Sequence, residues 1–273
     1  MTILGPWTLG RTISDVNYKK IVEVSTSCLR SMFVPASWVL KIRDNTDLEE
    51  LTDILNLIRD PPRNMVEVPK DTYHQFGLTP NTVWFAMRNY EGHLTSRHAD
   101  LWVTVATACI QFMCDLHTNH RKVYMDFRME NVLVSGKTVA VADYELVTSV
   151  NPKKTKDADR NNRWYYLARG AEMNEWMCSW RHDFVSLGYL LVTLTAGRLP
   201  FVDDFMDRRE GFRPNHKSVK DLLKARNAAI RGAANPTLRS YFDKIEEVKW
   251  DSQEPPPPSF YKDLEGLFTT GSV

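Results

Sequence analysis

Two runs near the start of the chain, Trp7-Thr8-Leu9-Gly10-Arg11-Thr12-Ile13 and Tyr18-Lys19-Lys20-Ile21-Val22-Glu23-Val24, are rich in β-branched and aromatic residues. That composition suits strands on a half-buried sheet. Ser14-Asp15-Val16-Asn17 between them has the composition of a turn. Ser37-Trp38-Val39-Leu40-Lys41-Ile42 predicts a third strand and Thr82-Val83-Trp84-Phe85-Ala86-Met87 a fourth. Between these two, Asp44-Asn45-Thr46-Asp47 supplies capping oxygens for a helix over 47–59. There Leu48, Leu51, Leu55 and Ile58 recur at helical spacing, and Pro61-Pro62 stops the helix.

From Ala99 onward the period changes. Trp102, Val105, Cys109, Phe112, Met113 and Leu116 form one apolar stripe at mostly three- and four-residue spacing. Short strands follow at Asn131 to Val134 and Thr138 to Val141, joined by Ser135-Gly136-Lys137. Helices are predicted over 181–194, 219–231, 237–248 and, after a proline run, 259–268. The order predicts an α+β, bilobed fold: a small β-rich lobe with one helix over 1–90 and a larger helical lobe over 91–273.

Composition narrows the class. The chain has 273 residues, 43% hydrophobic and 25% charged, which excludes a disordered or fibrous protein. A formal net charge of +1 gives no global field that would draw in nucleic acid or an acidic membrane. Cys28, Cys109, Cys114 and Cys178 show no CxxC spacing and read as free thiols in a reduced compartment. The first residues lack the basic and apolar regions of a signal peptide, and the run Leu187 to Ala196 is too short to span a bilayer. The expected location is intracellular, in cytoplasm or nucleus, with no membrane partner.

The candidate chemistry lies in Tyr124-Met125-Asp126-Phe127-Arg128-Met129-Glu130-Asn131, between a helix and a strand, and in Asp143 at the end of the next strand. Phosphoryl transfer calls for such a set: one carboxylate to orient a hydroxyl, a second carboxylate and an amide oxygen for hard cations, and a lysine such as Lys41 for the other phosphates.

These segments resemble the catalytic loop and metal-binding triplet of protein kinases. Ser179-Trp180-Arg181-His182-Asp183-Phe184-Val185-Ser186-Leu187-Gly188-Tyr189, Gly197-Arg198-Leu199-Pro200-Phe201 and Phe260-Tyr261-Lys262-Asp263-Leu264-Glu265-Gly266-Leu267-Phe268 are similar to the casein kinase one and vaccinia-related kinase branch. The resemblance runs through nearly the whole chain and implies a serine/threonine protein kinase using ATP and Mg2+. It implies Asp126 as catalytic base, with Arg128 where a lysine is common, and Asn131 and Asp143 as magnesium ligands. Lys41 becomes the phosphate-contacting lysine, with Asp53, or else Glu49 or Glu50, as its carboxylate partner. Ile13, Ile21, Val39, Met87 and Leu133 join Lys41 and Asp53 as nucleotide-binding positions.

Departures from the pattern point to weakened activity. Ser14, Val16 and Lys19 stand where a glycine-rich loop has its glycines, and Glu145 stands where glycine usually ends the metal triplet. The alternative is a pseudokinase acting as a binding scaffold; a small-molecule phosphotransferase on the same fold is a third reading. The basic segment 152–163, which includes Thr155 as a candidate phosphorylation site, would favour acidic or already phosphorylated protein substrates. Arg208 to Pro214 is a second basic patch, short of the charge and aromatic interleaving that nucleic-acid binding needs.

Overall fold

The computed structural model describes residues 3–4, 7–16, 19–25, 38–44, 48–68, 76–79, 82–144, 146–150, 178–197, 232, 235–249 and 251–270. The protein is α+β, with small antiparallel sheets and several helices. The chain divides into two compact units: residues 1–61 with 65–92, and residues 62–64 with 93–273. The segments 152–163 and 208–214, the helix expected over 219–231, Glu145 and Cys28 lie outside the described residues.

The first unit is built on six strands: Ile3–Leu4 (β1), Trp7–Val16 (β2), Lys19–Ser25 (β3), Trp38–Asp44 (β4), Phe76–Thr79 (β5) and Thr82–Arg88 (β6). They form one antiparallel sheet in the order β1-β2-β3-β4-β6-β5. Period-2 alternation sorts its two faces. Leu40, Trp84 and Ala86 are buried together, with Trp38 and Ile42 packed against them, while Lys41 falls on the opposite face.

Of the turn expected at Ser14 to Asn17, Ser14, Asp15 and Val16 are strand instead, and Asn17 lies outside the described residues. Strand β2 runs on through Val16, with Ser14 paired to Ile21, Asp15 to Lys20 and Val16 to Lys19. Cross-strand pairing satisfies the backbone groups of these residues, and that outweighs their polar composition. The register shifts twice, between Leu9 and Thr12 and between Thr12 and Ser14. The helix of this unit spans Leu48–Arg59 (α1). Its buried positions include Ile54, Leu57 and Ile58, whereas Leu55, expected on the core stripe, is half-buried.

The second unit is organised by Trp102–Thr118 (α2), Trp180–Ala196 (α3), Pro236–Ile245 (α4) and Pro258–Thr270 (α5). The expected stripe on α2 is the core: Val105, Cys109, Phe112, Met113 and Leu116 are fully buried. Each such large side chain contributes roughly 1.5–3 kcal/mol by leaving water. By length and composition the stretch Ser96–Thr118 is apolar enough to cross a bilayer, but half of that window is buried inside the fold, as in a core helix.

Helix α3 ends at Gly197, whose φ of 77° closes the last turn. Asn235 caps α4, its side-chain oxygen accepting from the Leu238 N–H at 2.8 Å. That cap starts the helix one residue before the expected 237, and it ends at Ile245 rather than 248.

Short strands complete the unit: Gly92–His93 (β7), Lys122–Val123 (β8), Val132–Ser135 (β9), Thr138–Val141 (β10) and Thr148–Ser149 (β11). β9 and β10 form a hairpin turned at Gly136, with φ of 57°, and β8 pairs with β11. Asn131 belongs to a 3-10 turn, Met129–Asn131, and the strand expected to begin there starts at Val132. Cys109 and Cys178 are buried and Cys114 partly so, all three as free thiols. Burial pushes the Cys109 thiol far above its ordinary value, which keeps it unreactive.

Candidate active site

The stretch 124–131 connects β8 to β9 and is held mainly by one carboxylate. Asp183, fully buried in the first turn of α3, accepts from the Tyr124 N–H at 2.6 Å and the Met125 N–H at 2.7 Å. It also lies 3.0 Å from His117 Nε2, in the last turn of α2. A carboxylate can be taken out of water when several donors replace its hydration, and here two backbone amides and an imidazole do so. The pull bends the chain: Met125 sits at a φ of 66°, immediately before Asp126.

Asp126 is thereby presented beside Asn131. The Asn131 Nδ2 donates to the Asp126 carboxylate at 2.6 Å and to the Asp126 carbonyl at 3.0 Å. Both partners are acceptors, so the amide nitrogen must face Asp126 and the amide oxygen is turned the other way. The Asn131 N–H bonds the Arg128 carbonyl at 3.1 Å, and the Ala142 N–H bonds the Asn131 carbonyl at 2.8 Å. These bonds lock the 3-10 turn to the strand that leads to Asp143. Asp143 itself sits at a φ of 61°.

Arg128 spans the two carboxylates. Its Nε lies 3.3 Å from Asp126 Oδ1, and a terminal nitrogen lies 4.0 Å from Asp143 Oδ2. Carboxylates and an amide oxygen are ligands of the type that hard cations prefer, and the guanidinium between the carboxylates is of the type that phosphate prefers.

Aromatic packing supports the loop from behind. Phe112 of α2 contacts Tyr124, Phe127 and Tyr144 at ring separations of 5.4, 6.2 and 6.5 Å. Burial, with the nearby Asp126 and Asp143 charges, holds the Tyr124 phenol well above its ordinary pKa. It therefore donates, to the Ala142 carbonyl, while the Tyr144 hydroxyl donates to the Val141 carbonyl.

Of the positions singled out in the sequence, Asp126, Arg128, Asn131 and Asp143 thus come together in the second unit. Leu133, on β9 opposite Ala140, belongs to the same unit. The others belong to the first unit. Lys41 on β4 stands opposite Ile21 on β3 and Phe85 on β6, and Val39 stands opposite Met87. The register therefore puts positions 21, 39, 41 and 87 on one face of the sheet. Ile13 falls at a register shift of β2, and Asp53 lies within α1, its side chain outside the described residues.

Three residues that hold the loop carried no role in the sequence reading: His117, Asp183 and Tyr261. Only His117 follows an apolar helical stretch; Asp183 stands beside Arg181 and His182, and Tyr261 beside Lys262 and Asp263. Their burial, and with it the demand for partners, is visible only in the fold.

Compared with known protein families and with curated proteins, the chain matches no family model and no curated protein.

Proposed function

We infer that the chain is a serine/threonine protein kinase-like phosphotransferase of the bilobed kinase fold, with weakened activity. The observation that carries this reading is the clustering of Asp126, Asn131, Arg128 and Asp143 around one constrained loop. In that role Asp126 orients the substrate hydroxyl and takes up its proton as that oxygen bonds to the γ-phosphorus of ATP and the bond from this phosphorus to the bridging oxygen breaks, ADP leaving with that oxygen. Arg128 faces the transferred phosphoryl group. Asn131, through its amide oxygen, and Asp143 are the residues that would hold magnesium, whose charge would offset that of the phosphate oxygens. Lys41 holds the remaining phosphates of ATP.

A second reading, a pseudokinase that acts by binding, is favoured by the β2–β3 hairpin. Its pairing continues to Val16 and Lys19, without the glycines that let backbone N–H groups approach phosphate closely. Arg128 also already balances the two carboxylates.

A melting experiment with ATP and magnesium, run alongside Asp143→Asn, separates the two. A ligand that binds only the folded protein raises its melting temperature. A magnesium-dependent rise in the parent that the variant loses, with transfer to an acidic protein reduced about 10²–10⁴-fold in Asp126→Asn, is the expected result. No rise moves the chain to the scaffold reading. Undiminished transfer by Asp126→Asn removes Asp126 from the mechanism.

A further inference from the structure

We propose that Tyr261, on the last helix, is a positioning residue for the loop that carries Asp126, acting through His117 and Asp183. The proposal deepens the phosphotransferase reading and rests on it only where activity is measured.

Tyr261, His117 and Asp183 form an unbroken buried chain that ends on the Tyr124 and Met125 amides. The Tyr261 hydroxyl lies 2.8 Å from His117 Nδ1, and His117 Nε2 lies 3.0 Å from Asp183 Oδ2. Asp183 in turn holds the Tyr124 and Met125 amides. Tyr261, His117 and Asp183 are all fully buried. The rings of Trp180, Phe184 and Tyr261 stand 5.0, 5.6 and 5.9 Å from the imidazole, so aromatic rings pack around it.

In the proposed relay Asp183 is a carboxylate and the His117 imidazole is neutral, and each proton then has one place. The Asp183 carboxylate only accepts, so Nε2 carries a proton. Burial raises the Tyr261 phenol far above its ordinary pKa, so it stays neutral and keeps its proton to give. A neutral imidazole has one remaining lone pair, on Nδ1, and Tyr261 donates to it. The hydroxyl thus selects the tautomer that points a donor at Asp183. Without it, Nδ1 is a buried acceptor with its partner removed. The Nδ1–H tautomer then competes, and in that form Nε2 turns a lone pair toward the carboxylate. Asp183 loses a donor, and its grip on Met125 slackens. Met125 holds an unusual left-handed conformation one residue before Asp126, so a small release there moves the carboxylate that matters.

The test uses the full chain with 15N-labelled histidine. In the parent, His117 is expected as a single neutral form protonated at Nε2. Protonation at Nδ1, or at both nitrogens, overturns the proposal before any variant is made. In Tyr261→Phe the tautomer signal should split or switch. Amide exchange at Tyr124 and Met125 should rise about tenfold, the effect of weakening one hydrogen bond, while amides within Pro236–Ile245 stay unchanged.

Gln111→Ala is the comparison variant. It removes the 3.1 Å bond from Gln111 to Glu265, also between α2 and α5, together with the 3.0 Å bond from Asn64 to Gln111, without touching the hydroxyl. If Gln111→Ala raises exchange at Tyr124 and Met125 as much as Tyr261→Phe does, the effect is general loosening of α5 and the relay is wrong. An unchanged tautomer and unchanged exchange in Tyr261→Phe also sink it. Where the parent transfers phosphate, Tyr261→Phe should lower kcat roughly tenfold with KM for ATP unchanged, as misorientation does. Where the parent transfers none, the tautomer and exchange results still decide the relay, so the two ideas fail separately.

Discussion

The β2–β3 hairpin of the first unit and the 124–131 loop of the second are the two places where a kinase-like chain would handle phosphate, and they are built in opposite ways. The hairpin is held by ladder bonds between two strands, in a register that shifts twice within a few residues. Its pairing is repetitive, so one lost pair is replaced by its neighbours or by a slip. The loop has no ladder. Its shape comes from single bonds: from the distant Asp183 to Tyr124 and Met125, and from the nearer pairs Asn131–Asp126 and Ala142–Asn131. Such a design gives precise placement of one carboxylate, and it is sensitive to single deletions. The contrast teaches that a segment without a ladder takes its shape from a few individual bonds, so single residues decide its geometry.

The comparison breaks most completely at Asp183. Asp183→Ala leaves two buried amides and His117 without their acceptor, which should cost about 3–5 kcal/mol. The expected outcome is a large fall in melting temperature, with lost protection of the Tyr124 and Met125 amides in hydrogen exchange. A variant that melts like the parent would show that the loop has another anchor.

A smaller effect is expected in the hairpin. Val16→Gly should lower stability by about 0.5–1 kcal/mol through backbone entropy. It should also let the backbone approach a phosphate. If the hairpin limits nucleotide binding, ATP affinity measured by titration calorimetry rises about tenfold, the worth of one added hydrogen bond. Unchanged affinity would mean that the missing glycine at position 16 is not what weakens the site.

The smallest effect is expected at Arg63. Its backbone N–H, Nε and a terminal nitrogen all donate to Asp115 on α2, at 2.9, 2.8 and 2.9 Å. The adjacent Asn64 carbonyl accepts from the Val141 N–H, on the strand leading to Asp143. Arg63 is exposed, so Arg63→Ala should cost only about 0.2–1 kcal/mol.

Its pH dependence has a definite sign. Burial works to raise the Asp115 pKa, but the hydrogen bonds and charge of Arg63 outweigh it and hold the pKa below the ordinary 3.8. A carboxyl depressed in the folded state stabilises above its unfolded pKa, and that contribution disappears as pH falls through the folded value. The difference in melting temperature between parent and Arg63→Ala should therefore be constant near neutrality and shrink below about pH 4. A difference independent of acid would assign the effect to packing.

Much of the secondary structure was legible because it repeats. Trp38, Leu40 and Ile42 alternate with Val39 and Lys41, and that period of two marks both a strand and its buried face. The stripe from Trp102 to Leu116 marks α2 in the same way. The spacing of Asp126, Asn131 and Asp143 also named the residues that the structure brings together around Arg128. Where the reading failed, local composition misled it. Ser14 to Val16 look like part of a turn by residue type, yet the partner strand Lys19–Ser25 extends the pairing to Val16.

What the sequence by itself determined is therefore the α+β order of elements, the core stripe of α2, and the candidate residues Asp126, Arg128, Asn131 and Asp143. Only the tertiary structure decided how Asp126 is aimed. The left-handed backbone at Met125 and Asp143, the carboxylate of Asp183 and the Tyr261–His117 pair leave no periodic trace. The physical reason is that a hydrogen bond between residues 58 or 144 positions apart depends on which helices pack together. Periodicity reports which face of a helix is buried, and the partner that face meets is fixed only when the chain has folded.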